Sequence, residues 1–369
     1  MGLELEYATR IDGAGPAHLI ASKFNRHTFW CGQSGSGKTY ALGVVLERLA
    51  LGTRLPVVIL DPNSDFVKMD RIREGADSTL AAEWAQRDIR ILPSVAESDA
   101  PAVRVQFTEL PLRTKAAVLQ LDPIRDADEF NAMLRLDTTL RDASSDLLAT
   151  LRATSDPGSL QIATRIENLG VLDWDLWARQ RTSVTQVIDE QADVTVVDLG
   201  GFATPAEPKA AALAVVDHLW EHRSDRIGRL IVIDEAHNLC TPNPQTDVEA
   251  LLTERIVQIA AEGRKYGLWL LLSTQRPSKV HPNALSQCDN LALMRMNSTR
   301  DLDELAEVFS FVPEAMLTKA TGFSQGQSLF AGGFSAEPLL VQMGDRITEE
   351  GGSDVAVPLR CATSLNPGR

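Results

Sequence analysis

Eight consecutive residues constrain this chain more than anything else in it: Gly32-Gln33-Ser34-Gly35-Ser36-Gly37-Lys38-Thr39. They satisfy G-x-x-x-x-G-K-[ST] at every fixed position. The apolar stretch HTFWC (27–31) precedes them, and YALGVVLERLAL follows with apolar residues at helical spacing. Strand, glycine-rich loop and helix is the context in which such a loop cradles phosphate. Glycines let backbone N–H groups turn inward, and the helix N-terminus favours an anion. Lys38 is placed to reach β- and γ-phosphates, and the Thr39 hydroxyl to ligate Mg²⁺. Gln33, Ser34, Gly35, Ser36, Gly37, Lys38, Thr39 and the following Tyr40 are the candidate nucleotide-binding residues, with ATP and Mg²⁺ as cofactors.

Further apolar runs extend the pattern. Val57 to Leu60 ends on Asp61-Pro62, and IRIL covers Ile89 to Leu92. After a helix-rich interval come Val194 to Leu199, a helix over Pro208 to Arg223, and a strand Leu230 to Ile233. A helix through Val257 to Tyr266 and strands Leu268 to Gln275 and Asn290 to Met296 follow. This alternation predicts a doubly wound α/β sheet, with the core split over residues 1–108 and 191–369 and an α-helical insertion at 109–190. From Phe330 onward the tail reads as irregular, apart from Leu339 to Met343.

The run Leu230-Ile231-Val232-Ile233 ends in Asp234-Glu235. Paired acids at the end of a buried strand are costly unless they hold a cation or do chemistry. Asp234 is the second candidate metal residue, and Glu235 the candidate general base for an attacking water. Gln275, ending another strand, is a candidate γ-phosphate sensor. His218-Leu219-Trp220-Glu221-His222 matches an inverted zinc-peptidase pattern. The apolar stripe of that helix points elsewhere and no third ligand is evident, so both histidines are expected to face solvent without a metal.

A net charge of −14 argues against a generally nucleic-acid-binding outer surface and leaves room for a local basic strip. Cys31, Cys240, Cys288 and Cys361 are scattered with no CxxC pair, which reads as reduced thiols. No apolar run approaches the roughly 18 residues needed to cross a bilayer, and the N-terminus lacks a signal pattern. The expectation is a cytoplasmic protein with no membrane partner.

GQSGSGKT, VVILDPNSDF, LIVIDEAHNL and then EGRKYGLWLLLSTQRPSKVHPNALSQCDNLALMRMNSTRDLDEL, in this order, resemble the HerA branch of the HerA/FtsK superfamily. The resemblance covers about 25–61 and 194 to the end. It implies a RecA-like P-loop NTPase with a mainly parallel sheet flanked by helices, assembled as a homohexameric ring motor. It assigns Gln275 as the polar sensor, and Arg264 and Arg300 as arginines that enter the neighbouring subunit's site. The alternative for each arginine is a surface or salt-bridged residue. Full-length relatives carry an N-terminal β-barrel, for which the 31 residues before Gly32 are too few, so a reduced form is expected. The implied activity is a DNA-stimulated ATPase that moves double-stranded DNA through its pore. It would serve an effector such as a nuclease or NAD hydrolase, in antiviral defence or DNA end processing. Lys68, Arg71 and Arg73 form the candidate pore loop, against three ordinary surface cations. The other readings are a nucleotide-controlled scaffold that switches an effector, and a conjugation- or secretion-type motor.

Overall fold

The computed structural model describes residues 3–13, 15–95, 100–140, 147–179 and 181–352. Eleven strands form one sheet: β1 (Glu4–Arg10), β2 (Pro16–Ile20), β3 (His27–Cys31), β4 (Val57–Asp61), β5 (Ile89–Leu92), β6 (Val194–Asp198), β7 (Arg229–Ile233), β8 (Leu268–Thr274), β9 (Cys288–Leu293), β10 (Gln327–Gly332) and β11 (Leu339–Met343). Their order is β2-β1-β11-β10-β9-β3-β8-β7-β4-β6-β5. β3 to β9 are all parallel. β10, β11, β1 and β2 extend the sheet antiparallel beyond β9.

β3, β4, β6 and β7 are buried along their whole length. Continuous β-branched and apolar runs suit this, because helices cover both faces of a parallel sheet. Side chains alternate between faces. Trp30, Val57, Ile59, Leu230 and Val232 pack with the helix Lys38–Gly52 in one core. Phe29, Cys31, Val58, Leu60, Ile231 and Ile233 pack on the opposite side with the helices Ala206–Glu221 and Asp247–Glu262. That second core takes in the segment between Glu109 and Glu190, whose described residues hold five α-helices and no strand.

Beyond Gly332 the described tail is irregular apart from β11, as expected, but the sequence left two things unassigned: β10, which pairs with β9 and with β11, and the N-terminal strands. At Gly332 (φ 111°), a Cβ would lie 2.3 Å from the Asp289 carbonyl oxygen, so the strand ends at a position only glycine tolerates. β1 alternates exposed and buried residues and pairs with β11, more than 300 residues away. It also pairs with β2, the next strand in sequence, so a local hairpin is joined to the sheet by a partner that local patterns do not reveal. β9 begins and ends earlier than Asn290 to Met296, because Met294 and Arg295 turn onto the phosphate loop. Cys31, Cys240 and Cys288 are buried free thiols, and Cys361 lies outside the described residues.

The parallel strands bring the carboxyl ends of β3, β4, β7 and β8 to one edge of the sheet. Open α/β folds place ligand sites at that edge.

Candidate functional site

Cys31 closes β3, and the chain then turns through Gly35 (φ 73°) and Gly37 (φ 86°) before the helix Lys38–Gly52 begins. A Cβ on Gly32 would meet Met294 Cβ at 2.7 Å and Ser36 Oγ at 2.8 Å, so the loop wraps tightly. Lys38 Nζ donates to Asp234 Oδ1 (2.7 Å) and Ser273 Oγ (2.9 Å), and lies 3.3 Å from Glu235 Oε1. Burial disfavours the Lys38 charge, but the Asp234 and Glu235 charges outweigh it and hold its pKa above the ordinary value.

The remaining loop residues divide by contact. Gln33 Oε1 accepts from the Asn297 N–H (3.0 Å), which ties the loop to the segment after β9. Ser34 and Gly35 are exposed, whereas Ser36 Oγ is buried with no hydrogen-bond partner. The Tyr40 hydroxyl accepts from the Arg346 N–H (2.9 Å).

Beside Thr39 stands an acidic cluster larger than the sequence reading identified. Asp61, Asp65 and Asp234 bring carboxylate oxygens within 4.8 Å of one another. Thr39 Oγ1 lies 3.4 Å from Asp65 Oδ2. Asp61 accepts from the Asp65 and Phe66 N–H groups (3.0 and 2.8 Å), and Asp234 Oδ2 is buried with no hydrogen-bond partner among the described residues. Burial pushes the Asp61 carboxyl up to about 7; its two backbone donors oppose this, and Asp234 and Asp65 add to it. Burial and the Asp234 charge likewise raise Asp65 to about 6, against Lys38 and Thr39. Crowded acids around an orphaned oxygen, next to a hydroxyl, fit a hard divalent cation such as Mg²⁺. Asp61 carried the same sequence signal as Asp234, an apolar strand ending in a carboxylate.

Glu235 follows β7 in the left-handed region (φ 44°, ψ 48°). Its Oε1 accepts from Gln275 Nε2 (2.8 Å), and His237 Nδ1 lies 3.1 Å from Oε2 and 2.9 Å from Thr274 Oγ1. Burial works against this carboxylate, yet His237, the Lys38 charge and Gln275 together hold its pKa down, to about 2. The group is therefore an ionised acceptor at neutral pH. His237 escaped the sequence reading because an isolated histidine carries no spacing signal.

Other candidate residues lie elsewhere. Arg264 sits in the turn Gly263–Tyr266 before β8, at the opposite edge of the sheet, where it donates to Asp289. Arg300 is exposed on the helix Thr299–Val308, whose Leu302 and Leu305 are buried, and pairs with Glu304 (3.2 Å). In the loop after β4, Arg73 is bound to the Arg346 carbonyl and to Asp345, while Lys68 is half-buried and Arg71 is exposed. The expectation that both histidines of the zinc-like pattern face solvent holds for His222 alone. His218 is half-buried and lies 2.9 Å from Asp189 Oδ1, because the helix Val184–Asp189 ends beside it. Among the described residues, no helix is long and apolar enough to cross a membrane.

Comparison with known proteins bears on the fold and on the family. The fold is shared with VirB4 of Thermoanaerobacter pseudethanolicus, at TM-score 0.59 and 16% identity over 93% of this chain and 96% of that one. The plasmid coupling protein TrwB gives TM-score 0.55 and 12% identity over 90% and 88%. Both likenesses mark a RecA-like P-loop fold. In sequence, the DNA double-strand break repair helicase HerA of Pyrococcus furiosus is 22% identical over 367 residues. That alignment covers 86% of this chain and 65% of the helicase, so the chain spans about two-thirds of that relative's length. A probable helicase of Methanocaldococcus jannaschii is 28% identical over 162 residues, 43% of this chain and 29% of its own. Residues 11–205, more than half of the chain, match the family described as Helicase HerA, central domain, and the chain belongs to that family.

Proposed function

We propose that this protein is an ATP hydrolase that works as a ring-forming DNA motor. The carrying observation is the arrangement of Lys38, Asp234, Glu235 and Gln275 at one edge of the sheet, with Arg264 at the other. In this reading Lys38 turns from the acids to the β- and γ-phosphates, and Thr39 and Asp234 hold Mg²⁺ with Asp61 and Asp65 behind them. Bound Mg²⁺ supplies charge neutralisation on the phosphates. Glu235, ionised and aimed by Gln275 and His237, takes the proton of the attacking water. The seven residues of β8 separate Arg264 from that edge. At roughly 3.3 Å per residue the gap is about 20 Å, beyond the reach of an arginine side chain. Arg264 is therefore out of reach of its own chain's nucleotide edge, and in the proposed ring it leaves Asp289 for the site of a neighbouring copy, where it stabilises charge on the transferring phosphoryl group. Arg300 is the second candidate for that seam.

A homohexamer, double-stranded DNA in the pore, and an effector such as a nuclease or NAD hydrolase complete the proposal. Arg73 is tied to the tail, which leaves Lys68 and Arg71 as the cations of that loop for DNA phosphates. The test is the ATPase rate with and without double-stranded DNA, together with particle mass with and without ATP. DNA stimulation that disappears in Arg264→Ala supports the motor. A DNA-indifferent rate that rises only with a partner protein favours the nucleotide-controlled scaffold. A strictly monomeric particle in the presence of nucleotide refutes the ring.

A further inference from the structure

The tail after β11 runs back over the loop that carries Asp65. The Gly351 N–H donates to the Asp65 carbonyl (2.9 Å), the Glu349 N–H to the Arg71 carbonyl (3.0 Å), and the Arg73 N–H to the Ile347 carbonyl (3.0 Å). Ile72 and Thr348 form an antiparallel bridge. The same tail is anchored on the other side to the helix that begins at Lys38. Buried Glu47 accepts from the Ile347 N–H (2.7 Å), the Thr348 N–H (2.9 Å) and the Thr348 hydroxyl (2.7 Å). The Arg346 guanidinium is wholly buried between them: Nε donates to Thr348 Oγ1 (3.2 Å) and lies 3.5 Å from Glu47 Oε1, Nη1 lies 3.9 Å from Glu350 Oε1, and among the described residues neither Nη makes a hydrogen bond. It fills the space over Gly43, where a Cβ would meet it at 2.6–2.9 Å. The Arg346 N–H also donates to the Tyr40 hydroxyl, one residue past Thr39.

A buried ion pair in such a place is a poor source of stability and a good fastener of register. We infer that residues 344–352 are a positioning strap that sets where Asp65 stands relative to Thr39 and Asp234, with Glu47 and Arg346 as its anchor. The inference rests on the proposed reading of these residues as the cation side of a nucleotide site. Second-layer groups of this kind typically tune metal affinity by about 10- to 100-fold.

Gly351 gives a test that leaves the anchor intact. A Cβ there would lie 2.0 Å from the Ser64 carbonyl oxygen, so Gly351→Ala forces strap and loop apart. The double variant Glu47→Gln/Arg346→Met removes the two buried charges together, and the other partner of Arg346, Glu350, is exposed to solvent. Three measurements apply to both variants and the wild type: Mn²⁺ affinity by electron paramagnetic resonance with a non-hydrolysable ATP analogue, analogue binding in EDTA, and backbone hydrogen exchange. The expected result is faster exchange at residues 62–73, Mn²⁺ affinity lowered about tenfold, and unchanged analogue binding in EDTA and exchange in β7. Unchanged exchange at 62–73 overturns the strap, and faster exchange with unaltered Mn²⁺ affinity overturns its positioning role. Wild-type protein that binds no Mn²⁺ with the analogue overturns the cation-site reading itself, and the inference with it.

Discussion

Glu235 sits in a backbone region that costs a residue with a side chain about 1–2 kcal/mol. The turn aims its carboxylate at Gln275 and Lys38 instead of continuing β7. Strain held in place by surrounding structure is a mark of functional positions. Glu235→Gln is expected to lower the hydrolysis rate by about 10²- to 10⁴-fold while nucleotide still binds. Phosphate release and equilibrium nucleotide binding measure the two halves of that statement, and a rate within threefold of wild type excludes Glu235 as the base. Gln275→Ala is expected to fall between the two, since Gln275 acts on Glu235 and not in its place. Lys38, Asp234, Glu235 and Gln275 were legible as residues because motif and strand-end position mark them. Asp65 and His237 were not, because their part in the site depends on how loops fold back.

At the scale of elements, the parallel strands other than β9 were readable within a residue, since apolar runs of this length have few other fates in a parallel sheet. The antiparallel strands β1, β2 and β10 were not, because the sheet they extend is completed only by pairings such as β1 with β11 and β10 with β9. β3 also holds a buried histidine at its base. The Leu270 N–H donates to His27 Nδ1 (2.9 Å). Burial first, and then the positive charges of Arg264 and Arg26, lower the His27 pKa to about 4, against a backbone contact to Ala260 that raises it. Asp289, which pairs with both arginines, is the acidic group facing this corner. The folded pKa lies below the unfolded one of about 6.5, so the unfolded chain takes up the proton first. His27 therefore favours folding fully above about pH 6.5, and that contribution is lost as pH falls toward 4. The loss is on the order of 3 kcal/mol. Urea midpoints between pH 7 and pH 4 should fall less steeply in His27→Gln than in the wild type. Parallel pH profiles would show that His27 is not the group responsible.

For the whole molecule, the placement of Arg264 makes a prediction that no single-chain mechanism shares. If one copy supplies Lys38, Asp234 and Glu235 and the next supplies Arg264, two inactive variants can repair each other. Glu235→Gln mixed with Arg264→Ala creates seams with an intact acid side from one variant and an intact arginine from the other. Adding the two inactive proteins together is expected to restore a measurable fraction of wild-type ATPase activity, with a maximum near equal amounts. A mixture no more active than its components means that Arg264 does not act across a seam. Such complementation follows from head-to-tail contacts that close into a ring.

What the sequence by itself determined is the chemistry at one edge of a parallel sheet. A phosphate loop needs a strand before it and a helix after it, and a carboxylate pair ending a buried strand needs a cation or a reaction. Tertiary structure alone decided which further groups join that edge: Asp65 beside Asp61 and Asp234, His237 beside Glu235, and the segment 344–352 pinned by Glu47 and Arg346. The physical reason is that each contact needs the chain to fold back, by a turn beside Glu235 and Asp61 or by a strand order that joins distant segments. Local patterns report the periodicity and termination of elements, whereas contacts between residues hundreds of positions apart exist only once the sheet has ordered its strands.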